Sequence, residues 1–98
     1  EITGFYSEAG YSVLLNKDEK KFFPDLSLDK IEKTLPEEWF FRLNRQYILH
    51  RTAISGYKRL QDGKIEVLIN PLENFPPTIQ VSRLRAGAFK NWFQPEEG

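Results

Sequence analysis

The chain has 98 residues, with 14 Lys and Arg against 14 Asp and Glu, 40% apolar content and 14% aromatic content. That length suits one domain with a packed core, and the aromatic share argues against disorder. Cysteine is absent, which excludes a disulfide framework, a thiolate metal site and a thiol nucleophile, and no apolar run approaches the ~20 residues of a membrane-spanning helix.

In chain order, residues 11–15 and 20–23 read as strands on either side of a polar turn at 16–19. Ser27 is placed to cap a helix over 28–35, with Leu28, Ile31 and Leu35 on one face and Leu26 positioned to staple onto Ile31. Pro36 ends it, because the residue before a proline is pushed toward extended geometry. Residues 47–50 form a further strand. Asp62-Gly63 lies between strand-like segments 54–60 and 64–69, a strong hairpin signal, and Ile65, Val67 and Ile69 alternate along the second arm. Three prolines make 70–77 a loop, and 78–81 is another strand. Ser82 opens a second helix over 83–93, whose expected apolar stripe is Leu84, Ala88, Phe89, Trp92 and Phe93, and Pro95 stops it. The pattern predicts a mainly β domain with two short helices over residues 1–94, followed by a disordered tail at 95–98.

The overall charge balance hides a segregation. Residues 1–39 hold nine acids and five lysines, a net of −4. Residues 40–90 hold six arginines and three lysines against Asp62, Glu66 and Glu73, a net of +6. Solvated strand edges could account for such charges, but the asymmetry is also the footprint of a polyanion-binding face.

Catalytic chemistry finds little support. His50 is the sole histidine, and with no cysteine there is no metal-ligand cluster. No Gly-x-Ser-x-Gly elbow or Gly-rich phosphate loop occurs. The adjacent carboxylates Glu37-Glu38 and Glu96-Glu97 suit solubilising flanks. The expectation is a protein that is not an enzyme and uses no cofactor or metal. Binding is better supplied: Arg42, Asn44, Arg45 and Gln46 offer side chains suited to base edges and phosphates within five residues. Arg83 and Arg85 flank a helix N-terminus that favours a phosphate.

The run FFRLNRQYILHRTAI at 40–54 and the block VSRLRAGAFKNWF at 81–93 resemble the two signatures of the LytTR family, and ITGFYSEAGYSVLL and the helix at 26–35 sit at the matching distances. The resemblance implies an elongated domain of small antiparallel sheets that reads successive major grooves of duplex DNA from loops, with a minor-groove contact between them. It further implies the effector half of a bacterial two-component response regulator, joined to a receiver domain, cytoplasmic and not membrane-bound, with an operator of direct repeats. The positive face disfavours self-association, so the isolated domain is expected to be monomeric. Carried over by position, the contact regions are the turn Ala9-Gly10-Tyr11-Ser12, then Asn44, Arg45 and Gln46 with Arg45 facing DNA, then Arg83 to Arg85. Two positions depart from the pattern: Asn44 stands where relatives often have histidine, and Leu84 interrupts a pair of arginines. The rival readings are a small β-barrel that binds a protein through Trp39, Phe40 and the proline loop, or one that binds RNA through exposed aromatics.

Overall fold

The segment Tyr47–His50 has side chains to bury on both of its faces, and the architecture follows from that requirement. The computed structural model describes residues 2–72 and 75–93. Among them run strands β1 (Ile2–Glu8), β2 (Tyr11–Asn16), β3 (Lys21–Phe22), helix α1 (Leu28–Thr34), β4 (Phe40–Arg42), β5 (Tyr47–His50), β6 (Ile54–Arg59), β7 (Ile65–Ile69), β8 (Thr78–Val81) and helix α2 (Arg83–Phe93). They form two antiparallel sheets, one in the order β3-β2-β1-β5-β4 and the other β6-β7-β8.

Strand alternation sends neighbouring side chains of β5 to opposite faces. Ile48 joins Phe5, Leu28 and Ile31 in a cluster that seats α1 on one face of the larger sheet. Leu49 joins Leu43, Ile54, Ile65, Val67, Ile79, Val81, Ala86 and Phe89 in the main core, shared with the smaller sheet and α2. The larger sheet is therefore covered on both faces. Gly4 permits its central pairing, since a Cβ there would lie 2.5 Å from the Ile48 carbonyl oxygen. Phe40, Phe41 and Tyr47 are half-buried against these two clusters, as packing residues.

The turns follow local chemistry. Ala9 and Gly10 both take positive φ (51° and 82°), which matches the two-residue loop that suits the twist of a hairpin. Holding an alanine there costs on the order of 1 kcal/mol. The Asn16 side-chain oxygen accepts from the Asp18 and Lys20 amides at 2.9 Å, forming the polar turn into β3. Asp62 and Gly63 take φ 65° and 78° between β6 and β7. Ser27 caps α1 by accepting from the Lys30 amide at 3.2 Å, and Leu35 becomes the C-cap.

Some expectations do not hold. Leu84 is 92% exposed and Ala88 is also exposed, so the buried stripe of α2 is Ala86 and Phe89, with Trp92 and Phe93 half-buried beside them. The helix starts at Arg83, and Leu84 lies on the side of it turned away from Ala86 and Phe89, so it stays uncovered. Leu26 stays 48% exposed instead of closing onto Ile31. The short β4 was not among the expected strands. The principal extents are 34 × 29 × 26 Å, so the elongation is slight. Of the 70–77 loop, Glu73 and Asn74 lie outside the described residues, as does the whole tail at 95–98.

Phe89 is fully buried, edge-on to Phe41 at 5.4 Å and Tyr57 at 5.7 Å and stacked with Phe93 at 5.5 Å. Trp92 fastens α2 to the chain before β4. Its indole N–H donates to the Glu37 carbonyl at 2.7 Å, and the Arg51 guanidinium lies 4.8 Å from its ring centroid. Chemical denaturation should therefore separate two apolar residues on one helix. Phe89→Ala should lose roughly 3–5 kcal/mol, whereas Leu84→Ala should stay within about 0.5 kcal/mol of the parent.

Candidate nucleic-acid interface

The tight turn between β4 and β5 carries the densest group of expected site residues. Leu43 anchors it, fully buried, and its amide donates to the Tyr47 carbonyl at 2.9 Å. Asn44 shapes the turn from within: its side-chain oxygen accepts from the Gln46 amide at 2.7 Å and the Tyr47 amide at 3.1 Å. Its NH2 group donates to the Gln80 carbonyl at 3.4 Å, so the side chain reaches across to β8. The Gln46 carbonyl accepts from the Ser7 amide at 3.0 Å, tying the turn to β1.

Arg42, expected to meet DNA, is used internally. Its side chain is 9% exposed. Nη1 bonds Asp29 at 3.0 Å and Glu32 at 2.9 Å, Nε donates to the Asn44 carbonyl at 2.7 Å, and Nη2 donates to the Arg45 carbonyl at 2.9 Å. A guanidinium has five N–H donors, and these four bonds leave at most one for any ligand. Asn44 is likewise committed. Arg45 and Gln46 remain with exposed side chains at the tip of the turn.

The other two expected regions adjoin this one. Tyr11 is 67% exposed and Ser12 half-buried at the start of β2. Together with Ser7, Gly10, Asp29, Arg42 and Arg45 they line a shallow depression of about 250 Å³. At the start of α2, the Ser82 carbonyl accepts from the Arg85 and Ala86 amides, and Arg83, Leu84 and Arg85 are all exposed. Arg85 donates to the Arg42 carbonyl at 3.1 Å, and the Arg83 stem packs over Gly63, where an added Cβ would meet its Cγ at 2.8 Å. Hydrogen bonds from Asn44 and Arg85 join the turn to the β8–α2 corner, and the Ser7 amide joins it to β1, so three segments far apart in sequence are connected.

The titratable groups nearby have packing and capping roles. Burial, with Tyr6 beside it, pushes the Tyr47 phenol up, away from neutrality as a base. The His50 Nδ1 accepts from the Thr52 amide at 3.1 Å, which caps the 3-10 turn Arg51–Ala53. Its ring stacks on Trp39, interplanar angle 11°, a packing role. Among the described residues no group of His, Cys, Asp and Glu is placed to hold a metal.

Compared with known protein families, residues 1–94 match the LytTr DNA-binding domain. The chain belongs to the LytTR family. Among solved structures, the LytTr DNA-binding domain assigned to a methyl-accepting/DNA response regulator of Bacillus cereus superposes with a TM-score of 0.74. That alignment covers 95% of this chain and 81% of the other at 17% identity, a likeness of fold. No curated protein matches the sequence.

In this LytTR domain, the three regions expected to meet a ligand adjoin one another, and the internal bonds separate scaffold from exposed side chains. Neither sequence pattern nor charge revealed that Arg42 belongs to the scaffold. The available signal was Asp29 and Glu32, spaced i and i+3 on a helix with Leu28 and Ile31 turned to the core. Asn44→Ala should remove the acceptor for two turn amides, costing roughly 0.5–2 kcal/mol, as for other side-chain caps. Denaturation would measure the loss, and amide hydrogen exchange should quicken at Gln46 and Tyr47. Unchanged exchange at both amides would contradict the role assigned to Asn44.

Proposed function

We propose that this LytTR domain binds duplex DNA sequence-specifically as the effector part of a bacterial transcription regulator. In the full-length protein it follows a receiver domain, and it acts in the cytoplasm. Arg45 and Gln46 read base edges from the tip of the β4–β5 turn. Tyr11 and Ser12 contact DNA from the β1–β2 side, and Arg83 and Arg85 meet phosphate or base at the start of α2. The observation that carries this reading is the convergence of the three segments, the first through Ser7 and the shared depression and the third through Asn44 and Arg85, with Arg45 and Arg83 exposed.

The chemistry fits such a target. Arginine presents a rigid fork that matches two acceptors on a guanine edge, and glutamine can bond an adenine edge in two places. The acids of residues 1–39 are balanced by the +6 segment at 40–90, so attraction to the polyanion is local to one part of the chain. Alone, the domain is monomeric, and two copies occupy direct repeats when their partner domains bring them together. Tethering makes the second binding event intramolecular, at an effective concentration on the order of mM for a short linker.

Arg45→Ala should weaken binding to a duplex selected from random sequence by on the order of ten- to a hundredfold, as expected for a lost bidentate base contact of about 1–3 kcal/mol. The unfolding midpoint should not move, since the side chain is exposed. Undiminished affinity for the selected duplex would contradict the assignment. Half-sites on one face of the duplex need centres about 10–10.5 base pairs apart or a multiple of that. Inserting a half turn between them should cripple a tethered dimer and leave the isolated domain nearly indifferent, with sedimentation reporting the mass of each. A stable dimer of the isolated domain, or equal losses, would refute this arrangement.

A further inference from the structure

Two carboxylates stand where a DNA-binding surface should not tolerate them. Asp29 lines the same shallow depression as Tyr11 and Arg45, and Glu32 lies one helical turn further along α1. Their side chains are 83% and 44% exposed. Placed beside a phosphate backbone, they repel it, and a face shaped only by net charge would omit them.

Their geometry gives them another use. Both carboxylates bond the same Arg42 nitrogen, at 3.0 and 2.9 Å. The opposite side of that guanidinium holds the carbonyls of Asn44 and Arg45 at 2.7 and 2.9 Å. These carbonyls belong to the peptide planes on either side of Arg45, so fixing them fixes the direction in which the Arg45 side chain leaves the backbone. The guanidinium is planar and rigid, and therefore transmits position from helix to turn; a lysine ammonium has no fork to do so.

We infer that Asp29 and Glu32 of α1 act through Arg42 as positioning residues for the DNA-reading turn, so that removing their negative charge weakens sequence-specific binding. This rests on the DNA-binding reading above. Its sign is opposite to the one simple electrostatics gives, since neutralising acids near a polyanion should tighten binding. Arg42 is the joint, and its own contact with DNA is not required.

The test compares the unaltered chain with Asp29→Asn/Glu32→Gln and with Arg42→Lys, on a selected duplex and on random duplex, across a range of salt. The double variant should bind the selected duplex about tenfold more weakly, on the scale of one impaired base contact. Its affinity for random duplex should hold or rise. Arg42→Lys keeps the charge and loses the fork. It should show a similar loss of discrimination, with the slope of log affinity against log salt unchanged. A phosphate contact would instead tolerate lysine, which serves well as a point charge. Equal or tighter binding of the double variant to the selected duplex overturns the inference, as does an Arg42→Lys protein with full discrimination. If the double variant does not fold, Arg42→Lys decides; unfolding of both overturns it, because the cluster then holds the fold and not the turn. Should the unaltered chain fail to bind duplex DNA at all, the broader reading falls first, and the two failures are distinguishable.

Discussion

Everything in this domain hangs on a short strand that must be buried from both sides. β5 has β1 on one edge and β4 on the other, with Ile48 facing α1 and Leu49 facing the second sheet. A strand held in this way has no freedom of register, because a one-residue slip would exchange the two apolar faces. The turn that precedes it inherits that rigidity. Leu43 at its base is fully buried, and its amide closes on the Tyr47 carbonyl. The tip is left to project from a fixed platform, and precise sites are best built on such platforms.

Polar bonds complete what apolar burial begins. Asn44 organises the amides within the turn, and Arg42 organises its carbonyls. A nearly buried guanidinium is tolerable because four of its bonds are present, two to carboxylates, and each satisfies a donor that would otherwise be stranded. Asn44 and Arg85 then carry the connection to the β8–α2 corner. The result is a division of labour among residues of similar chemistry: arginines 45 and 83 are exposed, while Arg42 and Arg51 serve the interior.

Much of the fold was legible in the sequence where local chemistry decides it. The Ser27 cap, the Asn16 turn, the Asp62-Gly63 hairpin and the strands at 47–50 and 78–81 all appear as read, since each depends on a few neighbouring residues. What escaped depends on distant ones. Leu84 has the spacing of a core residue, yet α2 turns its Ala86 and Phe89 side to the core and leaves Leu84 on the side facing away. β4 is three residues long, too short for a period to show, and exists because β5 offers it an edge. The candidate site divides in the same way. Its three regions are expectations from the family's motifs, and the fold brings them side by side, with the Arg45 and Gln46 side chains exposed. Arg42 and Asn44 looked like ligand-binding side chains because composition cannot distinguish a donor facing solvent from one facing a carbonyl.

The central claim is that one connected face, running from the β1–β2 turn across the β4–β5 turn to the start of α2, meets the DNA. The most direct measurement is a backbone amide NMR titration of the domain with a selected duplex. This account places the largest shifts at residues 9–12, 44–46 and 82–85, with little change around Trp39, Phe22 and Phe23. Shifts centred on those exposed aromatics, with residues 44–46 silent, would contradict it.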